Sequence, residues 1–392
     1  MTTASTITAR ASSAVPEEDF ARIRGIFADH VQAGAGGMAF CVYREGLPLL
    51  QCYGGMSVPA GGEPAQGTDT AHAWDSSTLA VLFSGTKGIM AVIAAILIER
   101  GLLDPQAPVC AYWPEFAAAG KERVTVAQVL SHSVGLVYPD PAPAGEDRYN
   151  NRVVAQILAA QAPLWEPGTQ VAYHAITYGY LVAELFFRVT GKQPGQLVRE
   201  LLAEPYSLDL FLGLPETEDH RLATIFRAQN YTISTFLTDP ERRKIVERMY
   251  GDTLLAGEDP FNSVPMRRAQ MAAGGGIGSA DAMAKLYSLL VSPEEPIVSR
   301  ATLQQSTSTF SEGVDAVNDR PLRFGLGFEL ADPLGTYGPV APAFGHSGAG
   351  GGLHGAWPQK NLGFSLLINE MQSEDRDRRA KDLLAALARS VL

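Results

Sequence analysis

Ser84 and Lys87, in the stretch Phe83-Ser84-Gly85-Thr86-Lys87-Gly88, are the residues whose types and spacing point most directly to chemistry. A serine hydroxyl is a poor nucleophile until a neighbouring group takes its proton. A lysine amine does so only when neutral, and a dry setting favours the neutral form. The apolar run Ile89 to Ile98 follows, and Phe83 precedes. If that run is a helix, Ser84 and Lys87 share one face, a turn apart. The pair then reads as a nucleophile with its own base. Spacing alone does not establish this. A chain of this length holds about one Ser-x-x-Lys by chance, and a capping serine beside a solvated lysine is the plain alternative.

A second candidate is Tyr173-His174-Ala175, just after the turn Trp165-Glu166-Pro167-Gly168. A tyrosine near a lysine ammonium is held partly or wholly as phenolate, and could pass the serine's proton to a leaving group. The alternative is an ordinary core tyrosine, as Tyr178 and Tyr180 are expected to be. A third candidate is Phe344-Gly345-His346-Ser347-Gly348-Ala349-Gly350-Gly351-Gly352. Glycines beside a strand let a substrate approach the backbone, and N–H groups there can face a developing oxyanion. The alternative is a flexible turn between strands.

Together the three stretches resemble the serine β-lactamase and penicillin-binding-protein superfamily, in its class C-like branch with the family VIII carboxylesterases. That pattern runs Ser-x-x-Lys, then Tyr-x-Asn or a variant, then Lys/His-Thr/Ser-Gly on an edge strand. Ser84 to Lys87, Tyr173 to Ala175 and His346-Ser347-Gly348 match it in order. Leu130 to Leu136, the Trp-x-Pro-Gly turn and Gly274–Ser279 match as supporting segments. The resemblance covers roughly residues 20–385. It implies Ser84 as nucleophile, Lys87 as base and Tyr173 as proton-transfer partner. It implies His346, Ser347 and Gly348 as substrate-binding pocket residues, and the N–H groups of Ser84 and Ala349 as oxyanion hole. The implied reaction is acyl transfer through an acyl-serine, then attack by water, with no cofactor and no metal.

Two departures from the pattern shape the expected substrate. Ala175 stands where Asn is usual, so an amide-recognising side chain is missing. His346 stands where β-lactamases commonly carry lysine, and carries less positive charge at neutral pH. Both weaken the case for β-lactams and favour short-chain esters without a carboxylate. On the same acyl-serine, an acyltransferase or an amidase of β-lactamase or D-Ala-D-Ala peptidase type remains an alternative. A non-catalytic binding protein would need a broken site, whereas serine, lysine and tyrosine are all present.

Other chemistries fit less well. Gly345-His346-Ser347-Gly348-Ala349 lacks the last glycine of a Gly-x-Ser-x-Gly elbow, and Ser131-His132-Ser133-Val134-Gly135 lacks the first. Gly350 to Gly355 spells Gly-x-Gly-x-x-Gly, but Trp357-Pro358 follows where a nucleotide site needs a helix. The seven histidines are scattered, and His132 and His174 read as structural rather than as ligands. Arg242-Arg243-Lys244 could meet an acidic substrate, or be a solvated helix face. The net charge of -11 argues against nucleic acid and anionic membranes as partners. Three cysteines, Cys41, Cys52 and Cys110, form no disulfide framework, so a reducing, cytoplasmic setting is expected. The partner expected is a small-molecule ester, for a monomer or small homo-oligomer.

The elements that must position these groups follow from periodicity. Residues 1–15 read as a flexible tail. A helix opens at Pro16-Glu17-Glu18-Asp19, with Phe20, Ile23, Ile26, Phe27, His30 and Val31 along one stripe. Met38 to Tyr43 and Pro48 to Tyr53 predict a hairpin through Arg44-Glu45-Gly46. Helices are predicted from Ser84 to Arg100, Val126 to His132, Arg152 to Gln161 and Thr177 to Thr190. Residues 205–265 mix helix with loop and are expected to shape the pocket. A helix capped at Ser279 runs to Leu290, and another spans Glu374–Leu392. Strands are predicted at Phe324–Leu330, Ala343–His346, Leu353–Trp357 and Leu362–Asn369. Strands at both ends and helices between suggest an α/β domain built from the two termini around an inserted helical domain, and the resemblance implies a two-lobed α+β, β-lactamase-like fold with an antiparallel sheet flanked by helices. Its expected bounds are 16–80 with 270–392 for the α/β domain and 81–269 for the helical one, with the active site at their interface.

Overall fold

The apolar runs at the two chain ends become strands of one sheet. The computed structural model describes residues 7–59, 62–68, 71–229, 231–232, 239–251 and 260–391. The first strands are β1 (Ile7–Ala11), β2 (Met38–Arg44) and β3 (Leu47–Gly54). Short strands β4 (Ala80–Val81), β5 (Leu210–Leu212), β6 (Phe226–Arg227) and β7 (Gly276–Gly278) follow. Then come β8 (Ser311–Val314), β9 (Pro321–Phe324), β10 (Glu329–Leu330), β11 (Phe344–Ser347), β12 (Leu353–Trp357), β13 (Leu362–Ile368) and β14 (Glu370–Met371). Nine strands form the main sheet in the order β1-β3-β2-β13-β12-β11-β10-β9-β8. Every neighbouring pair in it is antiparallel. A second sheet has the order β4-β7-β5, and β6 pairs with β14.

The predicted hairpin forms as β2 and β3. Glu45 and Gly46 have φ of 52° and 75°, the left-handed pair that a two-residue turn requires. Two expectations are corrected. Residues 7–11 of the expected tail pair along their whole length with β3, because Ile7 and Ala9 find apolar partners in the core beneath; residues 1–6 lie outside the described residues. The strand expected over Phe324–Leu330 is two strands, β9 and β10. Gly327 between them has φ of 89°, and a Cβ at Gly325 would lie 2.2 Å from the Ser306 carbonyl oxygen, so the chain turns where only glycine fits.

Period two along β2 sorts its side chains. Met38, Phe40 and Val42 join one core with Ile23, Phe27 and Val31 of helix α1 (Glu17–Ala33) and Leu383, Leu384 and Leu387 of the last helix, Arg379–Val391. Ala39, Cys41 and Tyr43 join the other core, against the helix Ala280–Leu290. That second core continues into α2 (Gly85–Glu99), whose residues Gly85 to Leu97 are all buried. An all-round apolar helix belongs inside. Its Ile89, Met90, Val92, Ile93, Ile96 and Leu97 each contribute about 1.5–3 kcal/mol by burial. Around it lie α3 (Val126–Leu130), closed by a Thr125/Gln128 capping box, α4 (Asn151–Ala160) and α5 (Thr177–Thr190), which ends at Gly191 with φ of 72°. Among the described residues no helix is long and apolar enough to cross a membrane.

Candidate active site

The chain leaves β4, turns sharply and enters α2, and Ser84 sits on that turn. Phe83 has φ of 48°, a strained conformation for a bulky residue. Thr86 holds it: its hydroxyl donates to Phe83 O at 2.6 Å and accepts from the Gly276 N–H at 2.9 Å. The Phe83 ring meets Phe261 edge-on at 4.7 Å. Ser84 makes no capping bond to the helix. It lines a cavity of about 470 Å³ together with Tyr173, Glu329, Ser347, Gly348 and Ala349.

Lys87 is fully buried beside it. Its Nζ lies 3.1 Å from Ser84 Oγ, 2.7 Å from Ala175 O and 2.8 Å from Ala273 O. Burial drives its pKa well below the ordinary value, against the opposing pull of Glu329. A neutral amine has two N–H bonds and one lone pair. The two carbonyls can only accept, so they take both N–H bonds. The lone pair is left for the Ser84 hydroxyl. The geometry therefore sets the direction of proton transfer, from serine to lysine. The chain supplies it at two points read in the sequence. Ala175, at the usual Asn position, acts through its backbone, and the glycine-rich stretch is preceded by Ala273.

Tyr173 lines the same cavity, its ring centre 4.9 Å from Lys87 Nζ and parallel to Phe324 at 6.1 Å. Burial pushes its phenol well above the ordinary value, and a hydrogen bond with Ser84 offsets only part of that. The expected phenolate is thus corrected: beside a neutral lysine the resting form is the neutral phenol, a proton donor.

His346 is also placed differently from expectation. It is 1% exposed and is absent from the cavity wall. Period two on β11 turns Ser347 to the cavity and His346 towards α2, where its Cβ would be 3.3 Å from a Cβ at Gly88. Its Nδ1 lies 2.9 Å from Ser347 O, so Nδ1 carries the proton. Burial lowers its pKa to about 4, against the pull of Glu329, and the ring is neutral. Gly348 and Ala349 do line the cavity. Among the described residues, no backbone carbonyl accepts from the N–H of Ser84 or of Ala349. Both amides are available to a ligand oxygen.

His132 and His174 are structural. His174 Nδ1 donates to Ala172 O at 2.6 Å, and its Nε2 accepts from Leu136 N–H at 3.1 Å. Its own N–H donates to His132 Nδ1 at 3.1 Å. These bonds clamp the loop after α3 to the Tyr173 loop. No cluster of three or more His, Cys, Asp or Glu able to hold a metal occurs among the described residues. Arg242 pairs with Asp239 and Asp319, Lys244 pairs with Glu241, and none of the three basic residues lines the cavity.

Sequence reasoning missed Glu329. Its Oε2 accepts from Ser347 N–H at 3.0 Å, Ser347 Oγ at 2.8 Å and Tyr337 Oη at 2.7 Å. Its Oε1 accepts from Arg320 at 3.2 Å. Burial would raise its pKa, but Arg320, His346 and these hydrogen bonds outweigh burial and bring it to about 2. The available signal was an acid closing the apolar stretch Phe324-Gly-Leu-Gly-Phe328, where a buried carboxylate needs partners. Asp315 was missed as well. It accepts from Tyr173 N–H at 3.3 Å and so fixes the backbone of that loop.

The Beta-lactamase family model matches residues 23–389. The protein "Esterase/beta-lactamase LipL" of Mycobacterium tuberculosis is 33% identical over 347 residues, 86% of this chain and 78% of that one. The crystal structure of a penicillin-binding protein homolog from Caulobacter crescentus superposes with a TM-score of 0.86 at 30% identity, over 98% of this chain and 100% of that one. The crystal structure of a family VIII carboxylesterase gives a TM-score of 0.85 at 31% identity, with the same coverage.

Proposed function

The chain belongs to the beta-lactamase family, and from that premise we propose that it is a serine carboxylesterase acting on short-chain esters. The observation that carries this reading is the Lys87 amine, fixed by two carbonyls with its lone pair on Ser84 Oγ. Ser84 Oγ attacks the ester carbonyl as Lys87 takes its proton. The N–H groups of Ser84 and Ala349 hold the oxyanion. Tyr173 gives its proton to the departing alkoxide and regains one from the Lys87 ammonium. Water then attacks the acyl-serine, its proton passing back along the same groups, and the acid leaves with Ser84 restored.

Support for esters over β-lactams comes from what surrounds this core. Ala175 offers no side-chain amide, and His346 is neutral and behind the wall. LipL is named for both activities and the structural relative for carboxylester cleavage, which fits an ester substrate. Residues 16–80 with 270–392 form one lobe of the proposed architecture and 81–269 the other. Ser84, Lys87 and Tyr173 come from the second, Ser347 and Ala349 from the first. Three unpaired cysteines fit a cytoplasmic location. Parallel turnover of p-nitrophenyl acetate, butyrate and octanoate and a chromogenic cephalosporin, by wild type and Ser84→Ala, tests the reading. Ser84-dependent cleavage of the short esters with slow cephalosporin opening is expected. Fast cephalosporin opening, or no Ser84-dependent ester cleavage, would overturn it.

A further inference from the structure

The wall opposite Ser84 carries more negative charge than an ester requires. Ser347 has one hydroxyl proton, and its Oγ donates to Glu329 at 2.8 Å. Towards the cavity that oxygen therefore presents lone pairs. The carboxylate behind it is 5% exposed. Asp315, Glu329 and Glu374 line the cavity beside Arg320, with Asp315 and Glu329 buried and Glu374 exposed. Arg320 is shared, 3.2 Å from Glu329, 3.1 Å from Glu374 and 4.0 Å from Asp332. One guanidinium thus faces several carboxylates. Arg376, Arg378 and Lys381 also line the cavity but are exposed, and the two arginines are paired with Asp375 and Asp382. Water and salt screen those charges more than the buried ones.

We propose that Glu329, acting through Ser347, makes this cavity select substrates by charge: it excludes esters bearing a carboxylate and favours those that bring an ammonium or other hydrogen-bond donor to Ser347 Oγ. A carboxylate placed there would meet lone pairs and a buried like charge, an arrangement that discriminates strongly. An ammonium would meet an acceptor with a charge behind it. This rests on the esterase reading and names its substrate class.

The test compares three p-nitrophenyl esters of similar size: butyrate, β-alaninate and hemisuccinate. Ser84→Ala supplies the blank for spontaneous hydrolysis. Wild type is expected to rank β-alaninate above butyrate above hemisuccinate in kcat/KM, with hemisuccinate lower than butyrate by about tenfold or more. Glu329→Gln is expected to compress that spread by about tenfold. Equal use of the three by wild type, or an unchanged spread in folded Glu329→Gln, would overturn the proposal. If Glu329→Gln fails to fold, Ser347→Ala decides. It should lose the preference for β-alaninate over butyrate while still rejecting hemisuccinate, and an intact preference would count against the proposal. If none of the esters is cleaved, the esterase reading falls instead. Charge selection is then read by titrating Ser84→Ala with the 4-nitroanilides of the same three acids. The same order of affinity supports the proposal, and equal affinities refute it.

Discussion

Replacing Lys87 by Met keeps the length and apolar stem of the side chain and removes only the amine. Among the described residues, neither Tyr173 nor a neighbouring histidine can take over as base. Tyr173 has its phenol pushed well above the ordinary range, and His346 and His132 lie outside the cavity wall. General-base assistance is worth about 10²–10⁴ in rate, and a nucleophile and base that act as one unit lose more together. Lys87→Met should therefore lower kcat/KM for p-nitrophenyl butyrate by about 10⁴-fold, roughly 5.5 kcal/mol at 1.36 kcal/mol per decade. The Ala175 and Ala273 carbonyls lose their donors, at about 1–3 kcal/mol each. Removing an amine that had to be desolvated offsets part of this. The net change lies within the stability of an ordinary domain, about 5–15 kcal/mol, so near-UV circular dichroism should show a folded protein. Lys87→Arg separates charge from basicity, because arginine stays protonated; it should be as inactive as Met. A folded Lys87→Met within about tenfold of wild type, or an active Lys87→Arg, would refute the lysine-base mechanism.

Tyr173→Phe should slow turnover by about 10²–10³-fold with little change in melting temperature, measured by stopped-flow on the same ester. Thr86→Val leaves the Gly276 N–H and Phe83 carbonyl without their shared partner. It should destabilise by about 2–5 kcal/mol in urea unfolding and also reduce kcat, since that hydroxyl holds the strained turn carrying Ser84. His174 and His346 are buried with pKa values lowered from 6.5 to about 4. The unfolded chain therefore binds more protons than the folded one between these values. Stability should be full above about pH 6.5 and fall as pH drops towards 4, by roughly 3 kcal/mol for each histidine. Glu329, lowered from 4.5 to about 2, adds a further loss below about pH 4.5. Melting temperatures flat from pH 7 to pH 4 would contradict this.

The nucleophile and base were legible because a helix fixes the distance between residues three apart. Ser84 and Lys87 meet through local geometry alone. Thr177–Thr190 and Leu353–Trp357 were read to the residue, with Gly191 closing the helix and Gly352 and Pro358 bounding the strand. Glu329 was not legible. Its meaning lies in Ser347, eighteen residues away, and in Arg320 and Tyr337, which the sheet brings together. His346 was read as a pocket residue because its motif position was visible and its strand face was not. Register decides which of His346 and Ser347 points into the cavity, and a one-residue slip exchanges them. The protonation states were hidden for a similar reason. Burial fixes the neutral phenol of Tyr173 and the neutral ring of His346, and burial is a property of the packed molecule.

The most direct test of the acyl-serine mechanism is to trap the intermediate. Wild type and Lys87→Met are mixed with p-nitrophenyl butyrate, quenched in acid within the first turnover, digested and analysed by mass spectrometry. A single butyryl group on Ser84 in wild type, absent from Lys87→Met on the same timescale, is the predicted result. Butyryl groups on another residue, or hydrolysis with a burst of p-nitrophenol and no label on Ser84, would contradict it.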